Sequence, residues 1–288
     1  LVGRRAKLAR AGLALMALTL GLRGCTAARG ERLTMTTTDD QGARWAARVV
    51  DEADVAVAGA RVLVAAGMLH DPDAGQVPDA LRRAYDRMRA AEGDAPSPVV
   101  PTLLGLESPD RADVIVVDGV AQPKGAVIFL HGFAGGFALP CWQLARAARE
   151  ADLVTYCPSV GARGDWWTEH GARTLAKTVA LARRRGIDRL YLAGLSNGAV
   201  GVAHLAPKMR GTFRGVILIS GCAPDQPAPG VPALVVQGRR DAMSGASRAR
   251  AYAARTGARY VELDAGHFAF LLREDEAHRA IAAWLKSH

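Results

Sequence analysis

One junction constrains this chain more than any other. Gly194-Leu195-Ser196-Asn197-Gly198 lies between residues 188–193, which end in the apolar run Leu190-Tyr191-Leu192-Ala193, and the run Ala199-Val200-Gly201-Val202-Ala203-His204-Leu205. The first reads as a buried strand and the second as a packed helix. A chain that passes from strand to helix within five residues must turn sharply. Glycine on both sides of the turn lets neighbouring backbone approach where a Cβ would clash. The serine is then presented at the end of its strand, on the outside of a strained bend.

The rest of the chain supplies a sheet for that strand. Residues 114–117 (Val-Ile-Val-Val) read as a strand, turned by Asp118-Gly119 and returned by 125–130 as an antiparallel hairpin. Thereafter helices and strands alternate: helix 139–150 to strand 153–156, helix 170–185 to strand 188–193, helix 198–206 to strand 215–220. Strands at 233–238 and 259–263 follow. Such alternation is the pattern of a mostly parallel twisted sheet with helices on both faces. Only a short, Pro-rich connection separates Ser220 from Pro232. Upstream, residues 78–92 carry Leu81, Ala84, Tyr85 and Met88 at helical spacing, and Gly93 stops the helix. Residues 45–70 are rich in Ala and Val and fit helix or strand equally. The chain thus divides into a targeting segment (1–25), a polar linker (26–44), a partly helical N-terminal extension (45–98, ending at Pro96-Ser97-Pro98) and the sheet domain (99–288).

Polar residues recur just past the strands. Residues 126–130 run into His131-Gly132-Phe133-Ala134-Gly135-Gly136, 233–238 into Arg239-Arg240-Asp241, and 259–263 through Asp264-Ala265-Gly266 to His267. Serine, acid and histidine in that chain order, each beyond a strand, resemble the α/β-hydrolase family over roughly residues 99–286. The resemblance implies an α/β-hydrolase fold whose catalytic residues are Ser196, Asp241 and His267. Ser196 would be the nucleophile, a weak one unless a base adjoins it. His267 would carry the proton, and Asp241 would fix its tautomer and stabilise its charged form. Asp264 and Glu262 are rival acids, although Asp264 is too near His267 in sequence to reach it from the neighbouring strand. The backbone N–H groups of Phe133 and Asn197 would form the oxyanion hole. His131 reads as structural, holding the oxyanion loop.

Clues to the substrate are fewer. Trp166 and Trp167, in the loop after strand 153–156, either wall a substrate pocket or pack against the neighbouring helix. Phe133, Phe137 and Phe268 can add apolar lining, and Arg163 most simply pairs with Asp165 or Glu169. Many family members insert a lid after the strand that ends at Ser220, and this chain does not, so the site is expected to be open on that side. The resemblance therefore implies a serine hydrolase of small to medium carboxylic esters. A peptidase or amidase, a perhydrolase, and a non-catalytic ligand-binding lipoprotein are the alternatives.

Net charge is +9, but Arg4, Arg5, Lys7, Arg10 and Arg23 place +5 of it in the first 25 residues, leaving +4 over the remainder. No basic stretch is interleaved with aromatics, which argues against nucleic acid. The N-terminal charges precede an apolar run, 11–20, of signal-peptide length. It ends in Leu22-Arg23-Gly24-Cys25, similar to a lipobox except for Arg23. Export is expected, as a lipoprotein anchored to membrane through Cys25 or as a soluble secreted protein. In an oxidising compartment Cys141 and Cys157 can bridge, each expected toward the same edge of the sheet; three buried free thiols, with Cys222, is the alternative. No Cys or His spacing suits a metal and no Gly-rich phosphate loop follows an early strand, so no cofactor is implied. Nothing in the sequence fixes an oligomeric state.

Overall fold

The computed structural model of the chain describes residues 33–37, 51–93, 97–105 and 112–288; the signal-like segment, Cys25 and most of the linker lie outside them. The strands are β1 (Leu33–Thr37), β2 (Asp113–Val117), β3 (Gly125–Leu130), β4 (Leu153–Pro158), β5 (Leu190–Leu195), β6 (Gly215–Ile219), β7 (Ala233–Gly238) and β8 (Arg259–Leu263). They form one sheet in the order β1-β2-β4-β3-β5-β6-β7-β8. β1 and β2 run antiparallel to their neighbours, and all other pairings are parallel. The apolar runs of the middle strands are buried on both faces, as a covered parallel sheet requires. Ile128, Leu192, Leu218 and Val235 enter one core, while Phe129, Tyr191, Ile217 and Val236 enter the other.

Helices α1 (Glu52–Ala65), α2 (Val77–Glu92), α4 (Ala138–Arg149) and α9 (Glu274–Ser287) cover one face. Helices α5 (Glu169–Arg184), α6 (Asn197–Leu205) and α7 (Ala246–Thr256) cover the other. The short helices α3 (Val99–Leu103) and α8 (Ala269–Leu272) lie at the connections. Among the described residues no helix is long and apolar enough to cross a membrane.

Two sequence expectations are corrected. β2 does not form a hairpin with the strand that follows it: both edges of β3 are taken by its parallel partners β4 and β5, so β2 pairs on the far side of β4. Residues 33–37, assigned to the linker, pair with β2 as the edge strand β1. The undecided stretch 45–70 contains α1, whose start is fixed by Asp51 accepting from Ala53 N at 2.9 Å, an N-cap that satisfies one of the helix's orphan donors.

The N-terminal extension is bolted to the sheet domain by buried polar contacts. Glu52 Oε1 accepts from Ala138 N (2.7 Å) and Leu139 N (3.3 Å) at the start of α4, and from Tyr85 Oη (2.7 Å) on α2. Burial raises the pKa of the Glu52 carboxyl, against hydrogen bonds that lower it. Glu92 at the other end of α2 accepts from Trp142 Nε1 and Arg149 on α4. A disulfide between Cys141 and Cys157 ties α4 to β4, and Cys222 is a buried free thiol.

Candidate active site

The register of the parallel strands brings their carboxyl ends to one edge: Leu130 lies opposite Gly194, Leu195 opposite Ile219, and Gly238 opposite Leu263. Ser196 follows β5 directly with φ 54 and ψ −116, a backbone conformation that only close surrounding packing sustains in a non-glycine residue. That packing needs both flanking glycines. A Cβ on Gly194 would stand 2.3 Å from the carbonyl of Gly198, and one on Gly198 only 1.9 Å from Leu130 O.

Ser196, His267 and Asp241 come together there. Ser196 Oγ lies 3.0 Å from His267 Nε2, and His267 Nδ1 lies 3.0 Å from Asp241 Oδ2. Asp241 is buried and richly solvated by protein donors. Oδ2 also accepts from Gln237 Nε2 (2.6 Å) and Ser244 Oγ (2.5 Å), and Oδ1 from the backbone of Met243 and Ser244 (both 2.9 Å). Burial pushes its pKa up, but the hydrogen bonds and charge of His267 and the donors from Ser244 outweigh this and hold it down at about 2. An ionised carboxylate facing Nδ1 requires a proton on that nitrogen. Nε2 is then free to accept from the serine hydroxyl. The rival acids are elsewhere: Asp264 pairs with Arg239 and Arg240, and Glu262 with Arg250.

The loop after β3 passes directly over the elbow, since a Cβ on Gly132 would meet Leu195 O at 3.0 Å and Ser196 Cβ at 3.1 Å. This sets Phe133 beside the nucleophile, while Asn197 opens α6 immediately after it. His131 props the loop as expected. Its Nε2 accepts from Val160 N (2.9 Å), its Nδ1 donates to Gly132 O (2.7 Å), and burial lowers its pKa to about 4. The Asn197 side chain donates to Arg163 O at 2.7 Å, and Ala134 N to Ala162 O at 2.7 Å, so the loop after β4 is tied to both sides of the elbow. Arg163 pairs with Asp165 at 3.2 Å.

The tryptophans divide from the substrate reading. Trp166 is fully buried, donates from Nε1 to His131 O at 2.9 Å and packs on Gly201 of α6. Trp167 is part-exposed beside His204. Neither lines the cavity that opens on Ser196, because both follow the loop down onto the helix layer. Phe268 does line it, with Phe133 and Phe137.

That cavity, about 200 Å³, has a wall the sequence did not reveal. Val55, Ala56, Ala60 and Leu63 of α1 and Leu81 of α2 face Ser196, His267 and Phe268 across it. The N-terminal extension thus covers the cavity, and no residue of the 220–232 connection lines it. The same extension braces the loops that carry Asp241 and His267. Asp71 accepts from His267 N (2.6 Å) through Oδ2 and from Ala242 N (2.8 Å) through Oδ1; Asp73 accepts from Gly266 N (2.8 Å). No motif announces Asp71, since its partners are remote backbone donors with no side-chain signature.

No protein-family model matches the chain, and no curated protein does. Solved structures do. Est1E from Butyrivibrio proteoclasticus superposes with a TM-score of 0.51 at 14% identity, covering 61% of this chain and 93% of that one. An alpha-beta serine hydrolase homologue from Coxiella burnetii gives 0.51 at 19% identity, covering 60% and 91%. An esterase from Pyrococcus furiosus gives 0.53 at 13% identity, covering 62% and 87%. The chain has the α/β-hydrolase fold. At these identities the likeness extends to the fold alone, and the chemistry of this α/β-hydrolase fold rests on its own residues.

Proposed function

We propose that the protein is a serine hydrolase of small to medium carboxylic esters, working through an acyl-enzyme. The observation that carries this reading is the unbroken chain Ser196 Oγ–His267 Nε2 and His267 Nδ1–Asp241 Oδ2, each link 3.0 Å, on a strained elbow at the sheet edge. Ser196 Oγ attacks the ester carbonyl while His267 Nε2 takes its proton. The N–H groups of Phe133 and Asn197 receive the negative charge that develops on the carbonyl oxygen. His267 then returns the proton to the departing alcohol. Water, deprotonated by the same imidazole, releases the acid and regenerates Ser196. Asp241 stays ionised throughout and holds the ring. The esterase name of the Pyrococcus furiosus structure favours an ester over other carbonyl substrates.

Export belongs to the same proposal. The basic-then-apolar first 25 residues and the Cys141–Cys157 bridge support it, with the mature chain either anchored through a lipid on Cys25 or released. Mass spectrometry of the mature N-terminus separates the two.

A fluorophosphonate probe, which reacts with an activated serine whatever the natural substrate, tests the chemistry. Wild-type protein is expected to label and Ser196→Ala is not, while ester turnover in that variant falls by roughly 10⁴-fold or more with folding unchanged. A folded wild-type protein that takes no label would overturn the reading.

A further inference from the structure

We propose that the cavity between the N-terminal helices and the elbow is the acyl subsite, that it takes a linear apolar acyl chain of medium length, and that α1 and Gln143 set this length. The proposal rests on the serine hydrolase reading above. The cavity begins at the reacting atoms, since Ser196 and His267 are among its lining residues. Apart from Tyr85, His131 and Gln143 its other walls are apolar, and among the described residues that line it there is no carboxylate, ammonium or guanidinium. Apart from the single amide of Gln143 the wall offers little to partner the several polar atoms of a charged or sugar-like acyl group, whereas a hydrocarbon chain loses water on almost every side. A bounded volume of about 200 Å³ limits the length of chain that fits.

The two limits of the path are built by particular residues. Ala56 and Ala60, one turn apart on α1, present only methyl groups to the cavity; a larger side chain at either would occupy the space the acyl chain needs. Gln143 lies on α4, five residues beyond the first of that helix. It is buried, it lines the same cavity, and its Nε2 has no hydrogen-bond partner. A water in the cavity can satisfy that N–H. A chain long enough to expel the water would strand a buried donor, so the amide ends the path for hydrocarbon.

A cavity roofed by α1 and α2 suits the acyl half rather than the alcohol half. The acyl group stays on Ser196 after the alcohol leaves and must be held until water arrives. The alcohol needs a route out.

The test is kcat/KM for p-nitrophenyl acetate, butyrate, hexanoate, octanoate and dodecanoate, beside a series of alkyl acetates of rising alcohol length. Wild type, Ala60→Phe, Ala56→Leu and Gln143→Leu are compared, all as full chains. Wild type is expected to peak at hexanoate or octanoate, at least about tenfold above acetate, and to fall at dodecanoate. Ala60→Phe should lower the octanoate-to-acetate ratio about tenfold or more. Ala56→Leu, a smaller change at a less buried position, should do so more mildly and serves if the first variant does not fold. Gln143→Leu should raise the dodecanoate-to-octanoate ratio. A flat acyl profile in a protein that labels at Ser196 overturns the subsite while leaving the hydrolase reading intact. A chain-length optimum that appears with the alcohol instead, or ratios unmoved in folded α1 variants, overturns it equally. A wild-type protein that neither labels nor turns over any ester fails the underlying reading instead.

Discussion

Asp241 receives five hydrogen bonds, from His267, Gln237, Ser244 twice and Met243. Its side chain is shut away from solvent, and a carboxylate in that position is tolerable only because each of those donors favours the ionised form. The sign of the consequence is fixed. Its pKa is about 2 in the folded chain against an ordinary 3.8, so the stability it contributes is present above about pH 4. That contribution is lost as pH falls through the folded value. In Asp241→Asn this slope is absent, and the stability difference between wild type and variant should shrink on acidification from pH 4 to pH 2, measured by urea unfolding at each pH. At pH 7 the same variant should lose most turnover, by about 10⁴-fold, because Nδ1 then faces an amide and the imidazole can adopt the wrong tautomer. Ser196, with φ 54, is the complementary case, a residue whose strain is sustained by the two glycines that let the chain close around it.

At the scale of elements, the segment between α1 and α2 does for the catalytic loops what a lid does not. The loops carrying Asp241 and His267 leave different strands, β7 and β8, and Asp71 joins them by accepting from Ala242 N and His267 N at once. Removing the carboxylate leaves these donors without an acceptor, at about 1–3 kcal/mol for each one that stays buried. It also loosens the placement of the imidazole, where about 1 Å of displacement can cost of the order of 100-fold. Asp71→Ala is therefore expected to lower both the melting temperature and kcat, the latter by about tenfold or more, with KM changing less. Asp71→Asn keeps one acceptor oxygen and should fall between. Differential scanning fluorimetry and steady-state ester hydrolysis check both. Glu52 works similarly at the other end of α1, where its buried carboxylate caps α4 and meets Tyr85.

For the whole molecule, the consequence of this arrangement is that the N-terminal helices and the sheet domain share one hydrophobic core. Ala53, Ala84, Tyr85 and Met88 belong to the same core cluster as Phe129, Tyr191 and Trp284. The covalent tie lies within the sheet domain. The Cys141–Cys157 bridge closes a loop of 16 residues, worth about 3 kcal/mol by loop entropy. Reduction should lower the unfolding free energy by about that amount, read from denaturant curves with and without dithiothreitol, and leave the triad geometry in place.

Much of this was legible in the sequence because it is local. The alternation of apolar strands and amphipathic helices, the turn at Gly194–Gly198, and the placing of Asp241 and His267 just past β7 and β8 are all written within stretches of a few residues, where backbone sterics and periodicity act. The partner of β2, the choice of Trp166 between pocket wall and helix packing, the acceptor role of Asp71 and the roof of α1 and α2 were not. Each depends on which distant surfaces meet: β2 is displaced because β3 has both edges filled, and Asp71 bonds to peptide N–H groups, which every sequence contains. The sequence by itself determined the sheet, its catalytic edge and the residues gathered there. Only the tertiary structure decided what covers that edge, because docking two helices over a cavity is a matter of long-range packing and buried polar partners that leave no periodic mark on the chain.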